Sequence, residues 1–418
     1  HPLQPFDARY FDGSHPALFS YSEAFAGMRG DGRNPLPALR DGGLPEPEPL
    51  PEVLPLSSLE GYFKDPARSL LRDHLQVGLD ALDDDARLAE EEPMSEIGRL
   101  HAVARNVFLH HVLPRKCVDP NWEWDREPPA WVAHGGLLPL GEVGREVWRL
   151  EADAVEALWA MADASGRFDA RGVQAVRVDV ALGDSGTTDA APRITGVVRN
   201  VYGLRDFERG AQVVFAFPHS GRKEPPPLKA PDNVGFSYLV PAFMHWALLR
   251  LHRADRPDPV RLTLLAEGEP ELALRANAWD EAWCAVDSAV RAAMADELRR
   301  RLRALIELWR MGRDGLSRFY PDTGWASVQA GSERPAIVKG VGKAWVRDFG
   351  DTPGERDREP GYAWLLEGDL LFGDPEADPD DRALNALLED SRQVEELILM
   401  GSEPASDVPQ TEAQEGRA

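Results

Sequence analysis

Apolar residues recur at helical spacing from about Ser57, through Leu59, Tyr62, Phe63, Leu70, Leu71 and Leu75, with Ser57 or Ser58 available as a cap. Pro66 falls inside this run and predicts a kink or a split, because proline has no amide to donate. Helical spacing also predicts a helix over 95–113 and a long amphipathic one over 143–164. In the latter, Val147, Leu150, Val155, Leu158 and Met161 mark the apolar face and Gly166 the stop. The period then changes to two. Val176, Val178 and Val180 alternate with polar neighbours, and 194–202 and 212–217 are β-branched or aromatic runs, so three consecutive strands of one sheet are expected. Further on, the pattern predicts a helix over 238–252, a hairpin pairing 261–266 with 271–274 across Gly268-Glu269-Pro270, and helices over 279–312 and 382–399. Helices on both sides of a strand group place the chain in the α/β class.

Composition divides the chain. Residues 1–33 are aromatic and irregular, and 34–56 are studded with Pro and Glu, which favours an extended linker. The folded domain is expected over 57–401, with a disordered acidic tail at 402–418. Inside the domain, the acidic run Asp80 to Glu92 predicts a solvated connection, and 114–133 a loop rich in Trp and Pro. The chain opens on His1 with a segment that reads as already under way, so a fragment of a longer protein is expected.

With 43% hydrophobic and 28% charged residues, the balance is that of a folded globular chain. No apolar stretch approaches the roughly 20 residues of a membrane span, so a cytoplasmic location without membrane contact is predicted. The formal charge of -24 argues against wrapping nucleic acid over the whole surface, yet leaves room for one basic channel. Only six of the 47 basic residues are Lys, consistent with a GC-rich coding bias or with an acidic surface suited to high salt. Cys117 and Cys284 are too few for a disulfide framework and too distant in sequence for a local zinc knuckle, so buried free thiols are expected.

The opening HPLQPFDARYF closely resembles the segment that leads into the C-terminal domain of RecC subunits, the gamma chains of exodeoxyribonuclease V. LEGYFKDPARSLLRDHLQV (59–77), LPLGEVGREVW (138–148), VRVDVALG followed by ITGVVRN, the helix at 238–252 and EPGYAWLLEGDLLF (359–372) follow in the matching order. The resemblance implies a degenerate PD-(D/E)XK nuclease-like domain with a small mixed sheet flanked by helices. It also implies RecB-type and RecD-type subunits and DNA, as duplex fork and single strand, as partners. Mg²⁺ and ATP are then expected in the partner subunits, with no cofactor in this chain. Such a subunit scaffolds the motors, helps split the duplex and guides the unwound strand past Chi recognition.

A working nuclease of that fold holds a metal with a strand Asp about three residues after a Gly, and with an acidic-x-Lys pair on the next strand. Here Arg199 stands three after Gly196, and 213–220 read VVFAFPHS, without carboxylate or lysine. Where related nucleases place a His four residues after a helix-opening Gly, Arg145 follows Gly141. Catalytic residues are therefore expected to be missing. Two alternatives stay open: a metal site relocated onto Asp179, Asp206 or Glu208, and a protein-binding adaptor that docks a RecD-type motor.

KGVGKAW (339–345) lacks the spacing and the Ser or Thr of a phosphate loop, and His110 and His111, about 100° apart on a helix, cannot share a metal from one face. Trp122, Trp124 and Trp131 either stack bases or pack their loop. The arginines from Arg299 to Arg313, including Arg303 and Arg310, either face DNA or form a solvated helix face with Glu297 and Glu307. The segment Leu204 to Pro231 carries Arg205, Arg209, Arg222, Lys223 and Lys229 with three consecutive prolines. It reads either as a stiffened wedge at a DNA fork or as a surface insertion.

Overall fold

A computed structural model describes residues 8–11, 18, 51–77, 103–135, 137–139, 141–166, 168, 174–183, 191–218, 228–314, 318–346, 354–358, 360–365 and 381–400. The acidic run 80–92, Arg222, Lys223, the prolines 225–227 and the tail 402–418 lie outside them, as do most of residues 1–50.

The segment read as linker ends in a strand, β1 (Val53–Pro55), which runs straight into α1 (Leu56–Lys64). The proline split occurs as predicted: α1 stops at Asp65, whose carboxylate accepts the Arg68 amide, and α2 (Pro66–Ser69) restarts with Pro66 in the first turn. Residues 103–107 are helical and pass through a π-turn (Phe108–Val112) into α3 (Leu113–Val118); α4 is Ala130–Ala133. The long helix α5 (Glu142–Ser165) ends on Gly166 at φ 62. Of the predicted face, Val155 and Leu158 are buried and Met161 packs against the core, but Leu150 is exposed. Trp148, Ala152, Val155, Leu158 and Ala162 point inward, and the Trp148 indole donates to the Arg126 carbonyl.

The sheet holds β2 (Gln174–Ala181), β3 (Arg193–Leu204), β4 (Phe207–Ala216) and β5 (Val260–Leu265) beside β1. β2 is antiparallel to β3 along one edge; on the other edge β1 pairs parallel at Arg193–Thr195 and β4 antiparallel at Val201–Leu204. β5 adds parallel to β4 and makes the sheet mixed. Between Val198 and Val201, β3 gains one residue on β2, a bulge that puts Asn200 at φ 55 and reverses which side chains face inward. β4 is central and buried from Gly210 to Val214 and at Ala216. Val213 and Phe217 enter the first core, Val214 and Ala216 the second, as the two-residue period requires. Gln212, fully buried here, is satisfied by the Gly203 carbonyl and the Thr263 hydroxyl.

The first core lies between the sheet and α1, α6 (Phe236–His252), α7 (Glu271–Ala285), α8 (Ser288–Asp314) and α13 (Asp381–Ile398). The second lies on the opposite face, under α5 and the helical stretch from Val103. α6 is apolar on all sides because it is buried on all sides. Beyond α8 come α9 (Pro321–Gln329), α10 (Arg334–Trp345), α11 (Glu355–Arg358) and α12 (Pro360–Leu365). A third, smaller cluster joins Tyr320, Trp345 and Tyr362 to Ala67 of α2, Ile337 and Val341 of α10 and Leu384 and Leu387 of α13. KGVGKAW is the last part of helix α10.

The predicted hairpin after β5 does not form. Glu271 begins α7 behind an extended Pro270, and α7 itself satisfies the free edge of β5. Asn277 accepts the Leu262 amide and donates to the Leu262 carbonyl, both at 2.9 Å, and Asp280 accepts the Val260 amide at 2.8 Å. A helix thus covers an edge that would otherwise invite another strand.

Candidate nucleic-acid interface

β3 and β4 are neighbouring antiparallel strands, the pair on which a two-strand metal site would be built. Gly196 owes its presence to packing: a Cβ there would stand 2.6 Å from that of Leu56, where α1 crosses the sheet. Arg199 sits on the β3 bulge, exposed, and its charge reaches both Glu60 and His110. Glu60 is bound to the buried His245 of α6, and Phe215 of β4 packs edge-on against that imidazole. Burial alone would raise the Glu60 carboxyl, but the bond to His245 and the charges of His245, Lys64 and Arg199 hold it below the usual carboxylate range. Val213, Val214, Phe215 and Ala216 offer a metal no ligand. Arg145 lies exposed on α5, paired to Glu142 of its own helix.

The three carboxylates considered for a relocated site do not come together. Asp179 pairs with Arg193 at 2.7 Å near the start of β3, whereas Asp206 and Glu208 lie beyond its far end, roughly 30 Å away along the strand. Among the described residues no three His, Cys, Asp or Glu side chains converge as metal ligands would.

The arginines of α8 are engaged within the fold. Arg299 pairs with Asp296 at 2.6 Å and Arg310 with Glu307 at 2.8 Å; Arg300 and Arg301 share Glu297. Arg301 also donates to the Glu396 and Leu397 carbonyls at the end of α13, Arg303 to the Leu182 carbonyl, and Arg313 stacks on Trp309. Trp122 and Trp124 pack against the second core, the first beside His111 and the second edge-on to Trp148; Trp131 is 47% exposed. Cys117 is buried and Cys284 half-buried, and neither is in a disulfide.

Leu204 to Pro231 is no single projecting loop. Its first half is an exposed two-residue turn and β4, which is exposed at Phe207–Arg209 and buried from Gly210 to Val214. Arg205 and Arg209 are exposed around that turn. Lys229 is held in place, its ammonium 4.6 Å from the Tyr238 ring and its backbone bonded to Phe217 and Glu267.

The foot of the β3–β4 hairpin forms a cleft of about 170 Å³ lined by Tyr202, Gly203, Glu208, Arg209, Arg253 and Arg256, among others. The sequence pointed to Arg209 alone of its cations. Arg253 and Arg256 follow α6 in the turn HRADRPDP, and their placement depends on Arg250, which is fully buried. Arg250 donates to the carbonyls of Asp258 (2.8 Å), Arg253 (2.6 Å) and Arg256 (2.9 Å) and pairs with Asp280 at 3.2 Å; its plane lies 4.6 Å over Trp283. With the carbonyls turned inward, the Arg253 and Arg256 side chains leave toward the hairpin. Arg253 then donates to the Arg209 carbonyl at 3.1 Å and ties the two walls together. The available signal was three arginines at intervals of three, which a helix end explains equally well as a complement to its dipole.

No helix among the described residues is long and apolar enough to cross a membrane. No curated protein sequence matches the chain. A model of the RecC C-terminal domain matches residues 51–332, well over half of the 418 residues and including every strand of the sheet, and the chain therefore belongs to the RecC C-terminal domain family, a family of RecBCD subunits.

Proposed function

We propose that this chain is the non-catalytic DNA-handling and scaffolding part of a RecBCD helicase-nuclease, acting in the cytoplasm in double-strand break repair and homologous recombination. In this reading, residues 57–401 together with β1 are a PD-(D/E)XK nuclease-like domain without its active site. It binds RecB-type and RecD-type subunits, helps split the duplex and guides the unwound strand past Chi recognition. Mg²⁺ and ATP serve the partner subunits.

The strand pair β3–β4 carries the argument. Phosphodiester cleavage needs carboxylates to hold a divalent metal against the developing charge. Arg199 puts a cation where the first carboxylate belongs, and Val213 to Ala216 supply packing in place of the second. Asp179, at the other end of β3 from Asp206 and Glu208, compensates for neither.

The test is to supply Mg²⁺ or Mn²⁺ to the full subunit without its partners and follow single- and double-stranded DNA. Intact DNA is expected. Cleavage that disappears on replacing Asp179, Asp206 or Glu208 with Ala would overturn the reading in favour of a relocated site.

A further inference from the structure

We infer that Arg209, Arg253 and Arg256 form a preformed seat for the phosphates of a DNA strand, gripping its backbone without reading its bases. The inference rests on the DNA-handling function proposed above and assigns it to one place.

The cleft brings three guanidiniums against one lining carboxylate, Glu208, in a chain whose overall charge is -24. Arg209 is exposed; Arg256 is about half exposed with its Nε 3.8 Å from the Asp255 carboxylate, a solvent-screened pair that a phosphate can displace; Arg253 is half-buried. Burial, and then the nearby charges of Arg256 and Arg250, lower the pKa of Arg253, with Asp258 acting in the opposite sense. Like charges gathered on a partly desolvated surface favour an incoming anion, and guanidinium forks match phosphate oxygens.

The walls are set before anything binds. Arg250 fixes the turn that carries Arg253 and Arg256, and the Arg253 bond to the Arg209 carbonyl fixes the turn to the hairpin. A Cβ at Gly210 would meet Phe207 at 2.7 Å and Leu204 at 3.0 Å, so the hairpin closes tightly only around glycine. Preorganisation of this kind lowers the ordering cost of binding. Tyr202 is buried and its hydroxyl is bound to the Leu109 carbonyl at 2.7 Å, so it is not available to a base edge. Gripping phosphates alone positions a strand and carries no sequence information.

The experiment uses the assembled complex containing the full subunit. Arg209→Gln with Arg256→Gln should lower the log–log salt slope of single-stranded DNA binding by about 1.4, about 0.7 for each phosphate that is no longer neutralised, equally for all sequences. Glu208→Gln should tighten binding, a gain that misfolding cannot mimic. DNA carrying photoreactive groups on its phosphates should cross-link to residues 201–211 and 253–256. An unchanged slope with cross-links elsewhere in this chain would overturn the cleft and leave the proposed function standing; no cross-links to this chain at all would overturn both. A slope that stays the same while an acidic peptide loses affinity for the variant would mark the cleft as a protein-binding site instead.

Discussion

Two sets of arginines in this protein stand in contrast. α8 carries the densest positive charge in the sequence, yet its guanidiniums pair with Asp296, Glu297 and Glu307 of the same helix or donate to carbonyls of Leu182, Glu396 and Leu397. The turn after α6 is sparser, but there one arginine is buried and organises two others at a cleft. Charge density along a chain thus says little about where an anion would bind. What differs is where the partners hold each cation. On α8, carboxylates three or four residues away keep the guanidiniums along the helix, whereas after α6 the buried Arg250 sets a turn whose arginines line a cleft although Arg256 has Asp255 beside it.

The contrast can be broken most severely at Arg250. Arg250→Met leaves Asp280 buried without its partner and frees three carbonyls, so a loss of about 3–5 kcal/mol is expected in denaturant unfolding. If stability hardly changes, the turn is held by something other than Arg250. Arg301→Ala removes two bonds to the end of α13 and should cost about 1–3 kcal/mol. Faster amide exchange confined to residues 381–398 would locate the damage; undisturbed exchange there would show that Arg301 merely decorates the surface. Replacing Arg300 and Arg310 with Ala should have the smallest effect, each within about ±0.5 kcal/mol, with the salt slope of DNA binding unchanged. A falling slope would return α8 to the DNA path and dissolve the contrast.

Much of the fold was legible where one local rule governed. The alternation at Val176–Val180, the apolar run of β4, the all-round apolar α6 and the restart at Pro66 each express a single periodic or steric constraint. β1 was hidden because three residues, Val53–Pro55, are too short to show a period inside Pro-rich sequence. At the start of α5, Leu150 was expected inside where Trp148 is, because the sequence does not show the core packing and the Arg126 carbonyl that the Trp148 indole meets. The hairpin after β5 was misread because the residues that replace it, Asn277 and Asp280, act from a helix through side chains.

The sequence by itself determined that Gly196–Arg199 of β3 and Val213–Ala216 of β4 carry no carboxylate, since residue identity does not depend on conformation. It also determined the α/β class, which follows from periods of 3.6 and two. Only the tertiary structure decided which arginines are spent on carbonyls and carboxylates and which line a cleft. Arg209 and Arg253 are 44 residues apart, and their meeting depends on a buried guanidinium, a bulged strand and a hairpin closing over a helix end, none of which has a local signature.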